Sequence, residues 1–351
     1  MHKLLLTLVF FTLSAVAQDT ARLLSEVVEA MPLERETPVY PEKEARMRRE
    51  GWAVVSFVIE PDGTVSNAIV EDSSGYASFE RSALNAVQKW TYRPATENGQ
   101  PVQQCEAKVR MNFRLQGNEQ GVTRKFKRRV NEGFKLINAG KLEEARQVLD
   151  EIEDTPQWNL YEDAWFNVLK AEYYAAKGKP KQQLTALTRA LSGDLLPDTL
   201  QLTSVQQKLS LELQLGKASD ALQSFTLLQS LAGSEAAVEK FTPYMQKLKA
   251  MIAGDELLAI EGNIHSDKPW HHLLSRTKFS LANIQGQLDK LDVRCQLRRT
   301  TFSIESDTVW HVPSRWGQCH LYVYGEQDAS FTLVELPDEI PAEMQEYLSD
   351  D

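Results

Sequence analysis

Glu50-Gly51-Trp52-Ala53-Val54-Val55-Ser56-Phe57-Val58-Ile59-Glu60-Pro61-Asp62-Gly63-Thr64-Val65 is the stretch from which the N-terminal fold is read. Trp52 to Glu60 is rich in Val, Phe and Ile, residues that suit a pleated, half-buried surface. Pro61-Asp62-Gly63-Thr64 is turn chemistry, because Pro presets φ and Gly can take φ > 0. Val65 to Glu71 reads as the returning strand, and Ser73-Ser74-Gly75 breaks it with residues able to cap a helix after it. Phe79, Ala83, Ala86, Val87 and Trp90 fall at helical spacing and predict an amphipathic helix over Ser78 to Lys89. Tyr92-Arg93-Pro94-Ala95 ends that element, and Glu97-Asn98-Gly99-Gln100 is a loop. Val102 to Leu115 is expected to close the unit as one long strand. Val109, Met111 and Phe113 alternate on one face with Lys108, Arg110 and Asn112 on the other. The expected product is a small two-layer α/β unit, a sheet with one helix on it.

Tyr40-Pro41, Glu50-Gly51, Phe57 with Pro61-Asp62-Gly63, Phe79-Glu80, and Trp90, Tyr92 and Pro94 follow one another in the order and spacing of a known family. Residues 28–116 resemble the C-terminal domain of the TonB energy transducer. The family-motif positions are Tyr40, Pro41, Gly51, Gly63, Phe79, Trp90, Tyr92 and Pro94. The resemblance implies a domain that binds short extended segments of outer-membrane transporters by strand addition. A terminal edge strand offers unpaired N–H and C=O groups for that purpose. Val102, Lys108, Arg110, Asn112 and Arg114 are the residues expected to form this edge. TonB proteins also carry an uncleaved membrane anchor and a long Pro-rich spacer, and neither is expected here. The binding half of the family's work is thus expected without a direct link to an inner-membrane motor.

The first residues read as an export signal. His2-Lys3 is followed by an apolar run from Leu4 to Phe11 that continues to Val16, then by Ala15-Val16-Ala17. The run falls short of the roughly 20 residues that a bilayer of about 30 Å requires. Residues 1–17 are expected to be removed, leaving a periplasmic chain that starts at Gln18 without a membrane span; the rival is an uncleaved inner-membrane anchor. In an oxidising compartment Cys295 and Cys319, which share the C-terminal segment, are expected to bridge. Cys105 shares strand parity with Ala107, Val109, Met111 and Phe113 and is expected to point into a core. The net charge of −10 argues against nucleic acid as a partner. The basic run Arg124-Lys125-Phe126-Lys127-Arg128-Arg129 reads as a solvated face opening a helix.

At 351 residues the chain exceeds one ordinary core, and two more segments come after the first unit. Gly140, Gly178 and Gly216 recur at a step of 38, each inside a turn followed by a helix pattern. A constant period of this kind points to stacked helical hairpins over 122–253. Gly140 with Glu143-Glu144-Ala145 is similar to the junction of tetratricopeptide repeats, whose period is a few residues shorter; a plain helical bundle is the alternative. Trp158, Trp165, Leu169, Tyr173 and Tyr174 supply apolar surface for a core or for a peptide-binding groove. From 255 to 337 short strand-like runs, among them Leu257 to Gly262, Lys278 to Leu288, Val293 to Arg298 and His320 to Tyr324, predict a small antiparallel β domain. Residues 338–351 read as an acidic tail. The fold class is therefore multidomain α+β.

His265, His271, His272, His311 and His320 lie in the last domain, but none shows the tight spacing of a zinc motif. No nucleophile elbow and no phosphate loop is present. Asp62, Asp72 and Glu80 are better explained by a turn, a strand end and a helix start. The expected function is protein binding without catalysis, metal or cofactor. The partners expected are outer-membrane transporters and other periplasmic proteins. The alternatives are an envelope scaffold that reuses the fold, and an enzyme hidden in the β domain.

Overall fold

Each strand of the opening stretch needs a partner for its backbone and a cover for its apolar side chains, and the fold depends on how both are met. The computed structural model describes residues 27–117, 121–155, 159–265, 268–305 and 308–337. The export signal, Trp158, the Ser306-Asp307 turn and the acidic tail lie outside these residues.

In chain order the first unit holds β1 (Val27–Val28), β2 (Met31–Glu34), α1 (Glu42–Arg46), β3 (Gly51–Ile59), β4 (Val65–Ser73), α2 (Ala77–Val87), β5 (Thr91–Arg93), β6 (Ala95–Glu97), β7 (Gln100–Val102) and β8 (Gln104–Phe113). β3 and β4 form the expected hairpin, and β8 pairs antiparallel with the other side of β3. At the turn, the Asp62 carboxylate accepts from the Thr64 N–H at 2.9 Å and from its hydroxyl at 2.6 Å. Gly63 sits at φ 84°, where a Cβ would lie 2.0 Å from the Tyr92 carbonyl oxygen. Helix α2 lays Phe79, Ala83, Ala86 and Val87 on the β3–β8 sheet, against Val55, Phe57, Met111 and Phe113. Ser73 does not cap this helix at its N-cap, which is Tyr76; its hydroxyl instead donates to Glu80 at 2.5 Å. The long closing strand is shorter than expected. Val102 ends β7 and pairs with Ala95, so a second small sheet, β1-β6-β7, interrupts it.

Helices α3 (Arg124–Asn138), α4 (Leu142–Glu153), α5 (Leu160–Ala176), α6 (Pro180–Leu191), α7 (Asp198–Gln214), α8 (Ala218–Ser230) and α9 (Glu235–Ala253) come next. The repeated glycines stand between α3 and α4, α5 and α6, and α7 and α8, at φ 72°, 64° and 70°. Each turn carries the same two bonds. Gly140 N–H reaches the Ile137 carbonyl and Lys141 N–H the Leu136 carbonyl, and the equivalent pairs recur at Gly178 and Gly216. This is the Schellman ending, in which a left-handed residue lets the chain satisfy the last helical carbonyls before turning back. Leu169 and Tyr173 are buried in the core of the first hairpin, so this part of the apolar surface is packing.

The last unit has β9 (Leu258–Asn263), β10 (Trp270–Leu273), β11 (Lys278–Gln285), β12 (Leu288–Cys295), β13 (Arg299–Phe302), β14 (Val309–His311), β15 (Cys319–Gly325) and β16 (Ser330–Leu336). They build two four-stranded antiparallel sheets, β10-β15-β12-β13 and β14-β11-β16-β9, around one core that includes Phe279, Leu281, Val293, Leu321 and Leu333. β10 and β14, four and three residues long, are not among the expected strands. β11 ends at Gln285 rather than at the expected Leu288, because Gly286 sits at φ 80° and turns the chain. Cys295 and Cys319 face each other across β12 and β15 and are joined by a disulfide. Among the described residues no helix is long and apolar enough to cross a membrane.

Candidate protein-binding edge

The family-motif residues build the first unit rather than its surface. The Tyr40 hydroxyl donates to the Arg49 carbonyl, and its ring meets Phe79 and Phe113 edge-on at 5.7 and 5.9 Å. Phe79 stacks on Phe113 at 4.6 Å. Gly51 leaves room for this, because a Cβ there would lie 2.5 Å from the Phe79 ring. Trp90 and Tyr92 pack on Phe57, and the Trp90 indole N–H donates to the Glu36 carbonyl at 2.8 Å. Pro94 follows β5 and directly precedes β6.

The expected edge is an edge. β8 is the terminal strand of the order β4-β3-β8, and among the described residues no strand pairs with its outer side. Lys108, Arg110 and Asn112 alternate with Val109, Met111 and Phe113 as read. Their face, however, is not left to solvent. The opposite parity of β3 presents Trp52, Val54, Ser56 and Val58 there, and Trp52 and Val58 are fully buried. Trp52 and Val54 pack with Leu160, Ala164 and Val168 of α5 and with Ala190, Leu195 and Leu196.

Charged groups lock this seam. Trp52 donates its indole N–H to Asp163 at 2.8 Å, and the Arg110 guanidinium lies 4.1 Å from the same indole ring. Arg110 also donates to the Ser192 hydroxyl. Burial lowers the Arg110 pKa to about 10 against the opposing pull of Asp163 and Asp72, and burial raises that of Asp163. Arg189 grips Asp72 through Nε and Nη2 at 2.9 to 3.2 Å. The Glu50 carboxylate accepts from Leu115 N–H at 3.0 Å and from Leu160 N–H at 3.2 Å, which ties the end of β8 to the start of α5. Arg114 lies over Tyr161 at 5.7 Å. A cleft of about 110 Å³ remains between Trp52, Asp163, Lys170 and Arg189.

The far half of the same face meets the β domain. Lys108 pairs with Glu71 at 2.6 Å, and Tyr322 donates to Glu71 at 2.5 Å. Burial alone would raise the Glu71 pKa; Lys108, then His271, overcome it and hold it down at about 2. Arg294 and Arg299 converge on buried Asp292 nearby. At a bulge in β8, between Gln104 opposite Ile59 and Ala107 opposite Phe57, Cys105 N–H donates to the Gln296 carbonyl at 3.2 Å. The Cys105 thiol is free and buried as expected, but beside this junction rather than in the α2 core, and burial pushes its pKa up to about 12.

Of the predicted edge residues, Lys108, Asn112 and Arg114 keep solvent exposure, Arg110 is half-buried, and Val102 belongs to β7. Trp52, Glu71, Asp163, Arg189 and Tyr322 were not singled out from sequence. One signal was present: both parities of β3 are apolar, the mark of a strand covered on two faces. Among the described residues no group of three or more His, Cys, Asp or Glu is placed to hold a metal.

The family model described as Gram-negative bacterial TonB protein C-terminal matches residues 36–115. The chain is 37% identical over 62 residues to Protein TonB of Escherichia coli (strain K12), which covers 18% of this chain and 26% of that protein. It is 32% identical over 78 residues to Protein TonB of Xanthomonas campestris pv. campestris (strain B100), covering 22% and 34%. The solution NMR structure of the Pseudomonas aeruginosa TonB C-terminal domain is 26% identical, with 26% of this chain and 91% of that one covered at a TM-score of 0.23. The Vibrio anguillarum TonB2 protein is 28% identical, with 32% and 97% covered at a TM-score of 0.21. The chain thus spans about a quarter to a third of the length of the curated relatives it matches. Residues 36–115 of this chain are a domain of the TonB C-terminal family.

Proposed function

We propose that this chain is a periplasmic protein-binding component of TonB-related transport across the outer membrane, which captures an extended partner segment along the outer side of β8. The observation that carries this reading is an edge strand whose outer side has no strand partner among the described residues, in a domain whose relatives are TonB proteins. Strand addition satisfies the outward N–H and C=O groups of such an edge and draws affinity from the main chain. The helical hairpins, read as tetratricopeptide-like, serve as a second docking surface, and export with removal of residues 1–17 brings the chain to the periplasm. The role is binding and includes no catalytic step.

A second reading, a scaffold that reuses the fold for another partner, draws support from the covered face of the sheet. The α-helical and β segments hold Arg110 and Lys108 in internal contacts, so side-chain recognition at this edge rests on the more open Asn112 and Arg114. In-cell photocrosslinking separates the two. The probe belongs at Asn112, which is exposed, and not at Arg110, whose replacement would open the Trp52 seam. Capture of the N-terminal segment of an outer-membrane transporter is the expected result. Capture of other envelope proteins alone would favour the scaffold, and no capture would overturn strand addition.

A further inference from the structure

Cys105 marks the point where the free side of β8 stops being free. Its N–H turns away from β3 at the bulge and is taken by the carbonyl of Gln296, in the turn that joins β12 to β13. That turn is firmly held. Gln296 N–H reaches the Gln318 carbonyl at 3.1 Å, and Leu297 N–H reaches that of Trp316 at 3.3 Å. Cys295 N–H closes onto the Arg298 carbonyl at 2.8 Å, and the Cys295–Cys319 disulfide staples the strand immediately before Gln296. The Gln296 side chain lies so close to Gly317 that a Cβ there would meet its Oε1 at 2.6 Å. A turn from the distant C-terminal β domain, held by these bonds, thus occupies the edge at Cys105, the second residue of β8.

We infer that the disulfide-stapled Gln296 turn is a built-in stop for the added strand, confining a partner segment to the stretch from Ala107 to Phe113. This rests on the strand-addition reading of β8. An antiparallel or parallel segment needs a continuous run of outward donors and acceptors, and a one-residue slip exchanges every side chain between the two faces. A segment sliding past Ala107 would have to displace the Gln296 carbonyl from the N–H of buried Cys105 and push aside the turn that carries it, a loss that opposes the slip. The stop therefore excludes every alignment in which the added strand pairs beyond Ala107 toward Cys105.

Two measurements on the full-length chain test it. The first is hydrogen exchange of backbone amides in the absence of any partner. The Cys105 amide should exchange at least about tenfold more slowly than the outward amides between Ala107 and Phe113; equal rates would overturn the stop whatever the partner proves to be. The second is in-cell photocrosslinking from Asn112 and from Gln103, on either side of the stop. Capture of a partner segment from Asn112 without capture from Gln103 supports the stop, and capture of that segment from both overturns it. Capture from neither refutes strand addition itself and leaves the amide measurement to decide whether the turn seals Cys105. Leu297→Pro should then unseal it. The variant loses the bond to Trp316 and restricts the backbone of Gln296, so Cys105 exchange should speed up toward that of its neighbours.

Discussion

Glu71 shows how a single residue can couple two domains to pH. Its carboxylate is almost fully enclosed, and the ammonium of Lys108 and the hydroxyl of Tyr322 hold it ionised, with its pKa lowered from 4.5 to about 2. A depressed carboxyl pKa contributes stability that is complete above the unfolded value and is lost as pH falls toward the folded one. The window therefore runs from about 4.5 down to about 2, and the amount at stake is on the order of 3 kcal/mol. Urea unfolding of the Glu71→Gln variant should show a flatter pH dependence across that window than the unchanged chain. Parallel curves would mean that Lys108 and Tyr322 do not hold the charge. At this scale the sequence was half legible. The alternation of Lys108, Arg110 and Asn112 was readable because period two is a local property. Their partners Glu71, Asp163 and Ser192 were not, because a polar side chain looks the same in sequence whether water or another domain satisfies it.

Among the elements, the hairpins are the most local and were the most readable. The step of 38 between glycines corresponds to three identical helix endings, each followed by a lysine with ψ between 65° and 73°. No heavy atom lies within 4 Å of the Cβ position at Gly140, so a substitution there probes backbone conformation alone. Gly140→Ala should cost about 1 to 2 kcal/mol from the left-handed φ. Thermal unfolding would register this as a lowered midpoint with the helical content unchanged. A neutral outcome would mean that the α3–α4 turn relaxes without its Schellman bonds. β10 and β14 show the opposite case. Each is too short to carry a period, and each exists because a longer neighbour offers it a pairing edge, β15 for the one and β11 for the other.

On the scale of the whole molecule, Arg276 is the clasp between the helices and the β domain. Its guanidinium donates to the carbonyls of Met251, Ile252, Gly254, Glu256 and Glu335, which include the orphan acceptors at the end of α9. Its own backbone N–H and that of Ser275 bond to the Glu335 carboxylate, which also meets His272 at 2.8 Å. Arg276→Met would remove these five bonds, a loss on the order of 1 to 3 kcal/mol. Calorimetry should then resolve separate unfolding of the helical and β segments. A single shifted transition would mean that the Glu50–Leu160 and Tyr322–Glu71 links suffice to keep the domains cooperative.

The sequence alone determined the features that short-range chemistry dictates. The Pro61-Asp62-Gly63-Thr64 hairpin, the α2 stripe, the repeated glycine turns and the family of residues 36–115 all rest on spacing within a few tens of residues. Tertiary structure alone decided what the TonB-family sheet faces. Trp52 is sealed against α5 and α6 with Arg110 over its ring, Glu71 is enclosed at the β domain under a half-exposed Lys108, and the Cys105 N–H is taken by Gln296. The physical reason is that alternation assigns a side chain to a face of its strand, whereas the cover on that face comes from segments far along the chain. Burial of Trp52 and the pairing of the charges around it select that cover only once the distant segments meet.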